Sequence, residues 1–217
     1  MTKVDPMLAL YYAPGLASFL PHAMLREAGA DFELRFIDRD NDAHKGEAYR
    51  KLNPNGLIPV LVDGENVVFE TAAIALHIAD KFPVSGLAPA LGSAERSQFY
   101  KWMVHLTNTV QPEYRVWFYP HQHVVDEAAI PSVKEAAGQR LNRMFDLISE
   151  QLGDKTWLLG DRFSAADLFL FMLIRWSRNM PRPARTLPNL GRFAERVFAR
   201  PAVQETLKAE GITAPFF

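Results

Sequence analysis

The residues best suited to chemistry in this chain are a carboxylate and a hydroxyl set side by side. In "NPNGLIPVLVDGENVVFET" (53–71) an apolar run turns back through Asp63-Gly64 and delivers Glu70-Thr71 directly into a helical pattern. A carboxylate there suits an ammonium ion, and a hydroxyl with the open N–H groups of a helix start suits a carboxylate. The same pair equally suits a plain helix start, with Thr71 as N-cap or Glu70 as an acid favoured by the helix dipole. His121 and His123 form an HxH pair close to Asp126 and Glu127. It has neither strand context nor a third ligand, so no metal is expected. The absence of cysteine from all 217 residues excludes a disulfide framework, a Cys-ligated metal and protein thiol chemistry.

The elements that must position these groups can be read from the patterning. "LALYYA" (8–13) reads as a buried strand closed by Pro14-Gly15, and "SFLPHAMLREAG" (18–29) as a helix ending at Gly29. Pro21 fits that helix only in its first turn, where its missing N–H is not needed. "FELRFID" (32–38) alternates as a half-buried strand should, and residues 39–53 read as irregular. The hairpin "IPVLV"/"NVVF" follows, then the helix "TAAIALHIADKF", which stops before Pro83. After the Pro/Gly-rich stretch 83–92 the strand signals vanish and long amphipathic helical segments take over. The expected organisation is an α/β domain over 1–83, a linker over 84–92 and an all-helical domain over 93–217. In "DRFSAADLF", Ser164 and Asp167 have the spacing of a capping box, with Phe163 and Leu168 as its hydrophobic staple.

With 24 Lys+Arg against 25 Asp+Glu and no charged block, neither a nucleic acid nor an anionic membrane is an expected partner. The start, "MTKVDPMLALYYAPG", has no apolar core followed by a small-residue cleavage site, so no signal peptide is expected. The longest apolar run, "LFLFMLI", is too short to span a bilayer. A soluble cytoplasmic protein is expected.

The ordered set "LYYAPGLASFLPH", "NPNGLIPVL", "ETAAIALHIADKF", "FSAADLFLFMLIRW" and "RPAVQETL" resembles the glutathione transferases, and its first and last members are most similar to the bacterial beta class. The resemblance implies a thioredoxin-like domain followed by an all-α domain, usually as a homodimer, and glutathione as co-substrate. It also implies a detoxifying transferase that joins glutathione to a hydrophobic electrophile, or displaces a group from one. A non-catalytic glutathione- or ligand-binding protein of the same fold is the alternative. Carried over by position, Glu70 and Thr71 grip the γ-glutamyl group. Pro59 is expected to be cis, leaving the backbone of Ile58 to pair with the cysteinyl part. His44 and Lys45, with Arg39 and Lys51 behind them, are the candidates for the glycine carboxylate.

The sequence departs from the beta class at the residues that would act on sulfur. The position of its cysteine is Ala17, and its histidine and lysine fall on Gln111 and Pro112. A free thiol has a pKa near ~8.5, and lowering it by two units requires only ~2.7 kcal/mol. One hydroxyl and the N–H groups of a helix start are enough. Ser18 and Tyr12 are the candidate hydroxyls, with backbone amides alone as the third possibility. Ser18 equally reads as a helix cap and Tyr12 as a packed strand aromatic. For the electrophile, expected between the domains, the candidates are Asn108, Gln111, Tyr114, Trp117 and Trp176; each aromatic equally reads as core.

Overall fold

The computed structural model describes residues 8–217. The expectation about a signal peptide falls partly on residues 1–7 and to that extent lies outside the described residues. The element order is β1 (Leu8–Tyr12), α1 (Phe19–Glu27), β2 (Phe32–Phe36), α2 (Glu47–Arg50), β3 (Val60–Asp63), β4 (Asn66–Phe69) and α3 (Thr71–Lys81). Helices follow: α4 (Ala94–His105), α5 (Gln111–Phe118), α6 (Ile130–Leu152), α7 (Ala165–Trp176), α8 (Pro188–Phe198) and α9 (Pro201–Ala209).

Two compact units result. One holds the described residues up to Ala88 together with Arg200–Thr213, and the other holds Pro89–Ala199 with the last four residues. Residues 200–213 therefore pack with the sheet rather than with the helical segment that precedes them in sequence. In the first unit the strands lie in the order β2-β1-β3-β4, with β1 parallel to β2 and antiparallel to β3, and β3 antiparallel to β4. This is the thioredoxin-like arrangement. Helices α3 and α9 pack against α1, whose residues Phe19 to Leu25 are all buried. Pro21 is the third residue of α1, where no intrahelical bond needs its N–H. Gly29 ends the α1 region at φ +62°, a conformation that glycine adopts without a Cβ clash. Within the stretch read as irregular lie a short 3₁₀ turn (Ala43–Lys45) and α2.

In the second unit α7, which contains the apolar run "LFLFMLI", is buried from Ala165 to Arg175. The capping box at its start forms, and Asp167 Oδ2 accepts the Ser164 N–H at 2.8 Å. Helices α5 and α6 approach closely at Gly138, where a Cβ would come within 2.8 Å of the Trp117 ring. The amphipathic run 94–110 does not stay α-helical to its end. It widens into a π turn at Leu106–Val110 and continues as α5. Pro112 accounts for this: its ring crowds the carbonyl four residues back, and it has no N–H to continue the ladder.

Candidate functional site

The loop between β1 and α1 is fastened from within. Ser18 is fully buried, and its hydroxyl donates to the Ala13 carbonyl (3.0 Å) while accepting the Ala13 N–H (3.3 Å). A hydroxyl has one proton, and here the fold uses it. The expected role of Ser18 as a direct donor to a ligand is therefore not what this geometry presents. What the loop leaves unpaired is backbone, at Ala17, which keeps a little exposed surface, and at the fully buried Ser18. Among the described residues the N–H groups of Ala17 and Ser18, just ahead of α1, make no hydrogen bond. Two such donors on the axis of a nine-residue helix favour an anion. The half-buried Tyr12 packs edge-on against His22 and Phe36, at ring-centroid distances of 6.1 and 6.0 Å. Removing the Ser18 hydroxyl would leave the buried Ala13 N–H unpaired. Ser18→Ala is thus expected to destabilise the fold by about 1–3 kcal/mol, which a thermal melt would register as a lowered midpoint.

The start of α3 is built differently. Glu70, the residue before its first turn, has φ +72° and ψ +117°, a conformation that costs a non-glycine residue on the order of 1–3 kcal/mol. Its side chain is exposed, caps nothing and has no hydrogen-bond or ion-pair partner among the described residues. Thr71 beside it is buried. Its N–H and those of Ala72 and Ala73 have no acceptor among the described residues, the first intrahelical bond being Ile74 N–H to Glu70 O at 2.9 Å. A strained backbone beside three open N–H groups carries a carboxylate whose side chain contributes no visible contact to the fold.

The Ile58-Pro59 bond is cis. Ile58 lies outside the strand ladders and has no backbone hydrogen bond among the described residues. The residues before it are held firmly. Asn53 Nδ2 and the Tyr49 hydroxyl both donate to the Leu57 carbonyl, at 2.7 and 2.9 Å, and the Asn53 oxygen accepts the Asn55 N–H. Burial pushes the Tyr49 phenol well above its ordinary pKa, so it remains a donor. Neither Asn53 nor Tyr49 was expected as a site residue. The signal was there for Asn53, since "NPNG" is turn chemistry whose first side chain bonds its own loop.

The sheet register brings these pieces to one end. Tyr11 pairs with Val60 and Val60 with Phe69, so the end of β1, the beginning of β3 and the end of β4 form one row. Tyr12 pairs with Phe36, so β2 ends there too. The loop 13–18, Ile58-Pro59, Glu70-Thr71 and the segment leading to His44 all leave the sheet at this end. His44 is buried in that segment, its Nδ1 is without a partner, and burial together with Arg39, Lys45 and Arg50 holds its pKa below the usual imidazole value. Lys45 is exposed and paired with Asp42 at 2.9 Å, an arrangement of a solvated surface.

In the helical unit the expected residues separate. Tyr114 is fully buried, donates to the Leu173 carbonyl at 2.7 Å and packs edge-on to Trp176. It is core and presents no surface to a ligand, which corrects the expectation. Trp117 is half-buried, wedged at Gly138 beneath the Lys134 ammonium. Asn108 is exposed on the π turn, a feature frequent at functional sites, and Gln111 is half-buried at the start of α5. The half-buried Trp176 meets Phe118, which is about half exposed and stacks on Tyr114. Phe118 was not singled out from sequence, because nothing in "YRVWFYPHQH" distinguishes the ring that stays outside. Among the described residues no group of His, Asp and Glu could hold a metal, and no helix is long and apolar enough to cross a membrane.

Residues 6–80 match the family model described as the N-terminal domain of glutathione S-transferase, and residues 117–201 match that of its C-terminal domain. The chain belongs to the glutathione transferase family. It is 30% identical over 207 residues to the glutathione S-transferase GstA of Escherichia coli O157:H7, covering 94% of this chain and all of that one. Among solved structures, the glutathione S-transferase of Xylella fastidiosa is 32% identical with a TM-score of 0.87, over 95% of this chain and all of that one. A sphingomonad glutathione S-transferase complexed with glutathione is 32% identical with a TM-score of 0.83, over 94% and 100%.

This transferase offers three kinds of polar contact along one end of its sheet. They are unpaired N–H groups at α1, an unpaired backbone at Ile58, and a carboxylate with a second helix start at α3. Two strand spacings of ~4.8 Å separate the β1 row from β4. An extended tripeptide at ~3.5 Å per residue is also about 10 Å long.

Proposed function

We propose that this chain is a glutathione transferase that binds glutathione along the end of its sheet and holds the thiol as thiolate for attack on a hydrophobic electrophile. The observation carrying this reading is the register that gathers the α1 loop, Ile58 and Glu70-Thr71 in one row. Glu70 pairs with the γ-glutamyl ammonium, while the Thr71 hydroxyl and the N–H groups of the α3 start take its carboxylate. Ile58, beside the cis Pro59, pairs with the cysteinyl backbone as a short strand addition. His44, buried with an unpartnered nitrogen, takes the glycine carboxylate in preference to the surface Lys45. The Ala17 N–H, the more accessible of the two unpaired amides, holds the thiolate; the buried Ser18 acts through the loop its hydroxyl fastens, and Tyr12 stands by as a second donor.

In the same reading residues 1–83, joined by 200–213, form the glutathione-binding domain, 84–92 connect it to the rest, and the remaining helical residues from 93 on supply the electrophile surface. Phe118 and Trp176 offer the apolar wall, with Asn108 and Gln111 as its polar members. A homodimer is supported by Tyr100 and Val104, one turn apart on α4 and 40% and 58% exposed. A reducing cytoplasm is consistent with a chain free of cysteine, and detoxification is the role such an enzyme would fill.

The test is a pH titration of glutathione bound to the protein, followed by thiolate absorbance in the ultraviolet. With no cysteine, protein thiols add nothing to the signal, and a ligand-free blank removes tyrosine ionisation. The expected midpoint lies about two units below the free value of ~8.5. An unshifted midpoint would overturn thiolate activation and leave a glutathione-binding protein.

A further inference from the structure

A buried carboxylate from the far end of the sheet-bearing unit reaches the α1 loop. Three ion pairs link α1 to α9 and its flanking residues. Arg200 clasps Glu27 at 2.5 and 2.8 Å, and Arg26 meets Glu205 at 3.2 Å; these two pairs have solvent access. The third, Glu210 with His22 at 2.9 Å, has both side chains fully buried. Glu210 is the C-cap residue of α9, and its second oxygen accepts the N–H of Gly15 at 2.8 Å, 195 residues away in sequence.

The hydrogen bonds fix which proton sits where. Arg26 Nε, which can only donate, reaches His22 Nε2 at 3.0 Å, so that nitrogen accepts. The ring proton is then on Nδ1 and is donated to Glu210 Oε1. Glu210 therefore accepts two hydrogen bonds, one from α1 and one from the loop. Its charge is balanced by the Arg26 guanidinium across a neutral imidazole. Glutamine cannot replace it, because a carboxamide has one oxygen. In either orientation its NH₂ would face the Gly15 N–H or the His22 Nδ1–H, donor against donor.

We propose that Glu210 is a positioning residue for thiolate stabilisation. The loop that carries the open Ala17 and Ser18 N–H groups is pinned at its base by the Ser18 hydroxyl on Ala13, and beyond it by Glu210 on Gly15. Glu210 holds Gly15 and the first turns of α1 through His22 with one carboxylate, and so sets the direction of the Ala17 donor between them. This rests on the reading of the Ala17 N–H as the thiolate site. Glu210 itself touches no part of glutathione in that reading.

The experiment is the bound-thiol titration repeated on Glu210→Gln, with glutathione affinity measured alongside. A thiol midpoint about one unit higher than wild type, with affinity within about threefold, is the expected result. An unchanged midpoint in a folded Glu210→Gln would overturn the proposal. Failure of the underlying reading is separable, since it shows in wild type as a midpoint that is not depressed at all. If Glu210→Gln does not fold, the wild-type Gly15 amide resonance decides. It should move with pH at the midpoint of the bound thiol, and a resonance that stays fixed through that midpoint would overturn the coupling.

Discussion

Glu70→Ala is expected to weaken glutathione binding about 30- to 100-fold while leaving the folding midpoint nearly unchanged. The affinity loss corresponds to ~2–3 kcal/mol, the range for a charge-assisted hydrogen bond at a helix start. The unchanged midpoint follows from the structure, where the side chain is exposed, caps nothing and has no partner among the described residues. Surface substitutions of that kind stay within about ±0.5 kcal/mol. Alanine keeps the Cβ, so the strain at φ +72° remains and stability gains nothing from its relief. Glu70→Gly supplies the control: it removes the Cβ clash together with the carboxylate, so it should bind as poorly as alanine. Calorimetric titration with glutathione and a thermal melt on the same samples check both halves. Affinity within threefold of wild type in both variants would remove Glu70 from the site.

The sequence showed the strands and most of the long helices, because those depend on local signals, while the short α2 lay in a stretch read as irregular. Pro14-Gly15 after an apolar run, Asp63-Gly64 between two others, and Ser164 three residues before Asp167 are each decided within a few residues of chain. The long helices, the capping box and the two-part organisation were legible for that reason. The resemblance carried the cis Ile58-Pro59 bond, which no local pattern distinguishes from trans. What stayed hidden depends on how the chain folds back, within one loop for Ser18 and over long separations for the others. Ser18 reads as a free hydroxyl until the fold turns it onto Ala13, and Tyr114 reads as a ligand wall until α7 covers it. Glu210 reads as a surface acid near the end of a helix, and nothing nearby announces His22 and Gly15. The strain at Glu70 was invisible as well, since glutamate is not a residue type that signals positive φ.

Asp167 makes the opposite prediction to Glu70, a large effect on stability with none on the chemistry. Its buried carboxylate accepts the Ser164 N–H at 2.8 Å, the Ser164 hydroxyl at 3.1 Å and the Leu158 N–H at 2.8 Å. It thereby ties the start of the central helix α7 to the segment before it, and each donor it satisfies is out of reach of water. Asp167→Ala leaves those donors unpaired at ~1–3 kcal/mol apiece. With partial relaxation around the gap the expected loss is about 3–5 kcal/mol. For a chain of this size that lowers the melting midpoint by roughly 10 °C. Asp167→Asn retains one acceptor but turns an NH₂ toward a remaining N–H, so its loss should be intermediate. Under conditions where both variants stay folded, the bound glutathione thiol should titrate as in wild type, because Asp167 lies in the helical unit and the proposed thiolate donors lie on the α1 loop of the other. A midpoint within about 2 °C of wild type for Asp167→Ala would mean the capping box does not hold α7 in place. A shifted thiol titration would mean that the start of α7 and the α1 loop are energetically coupled.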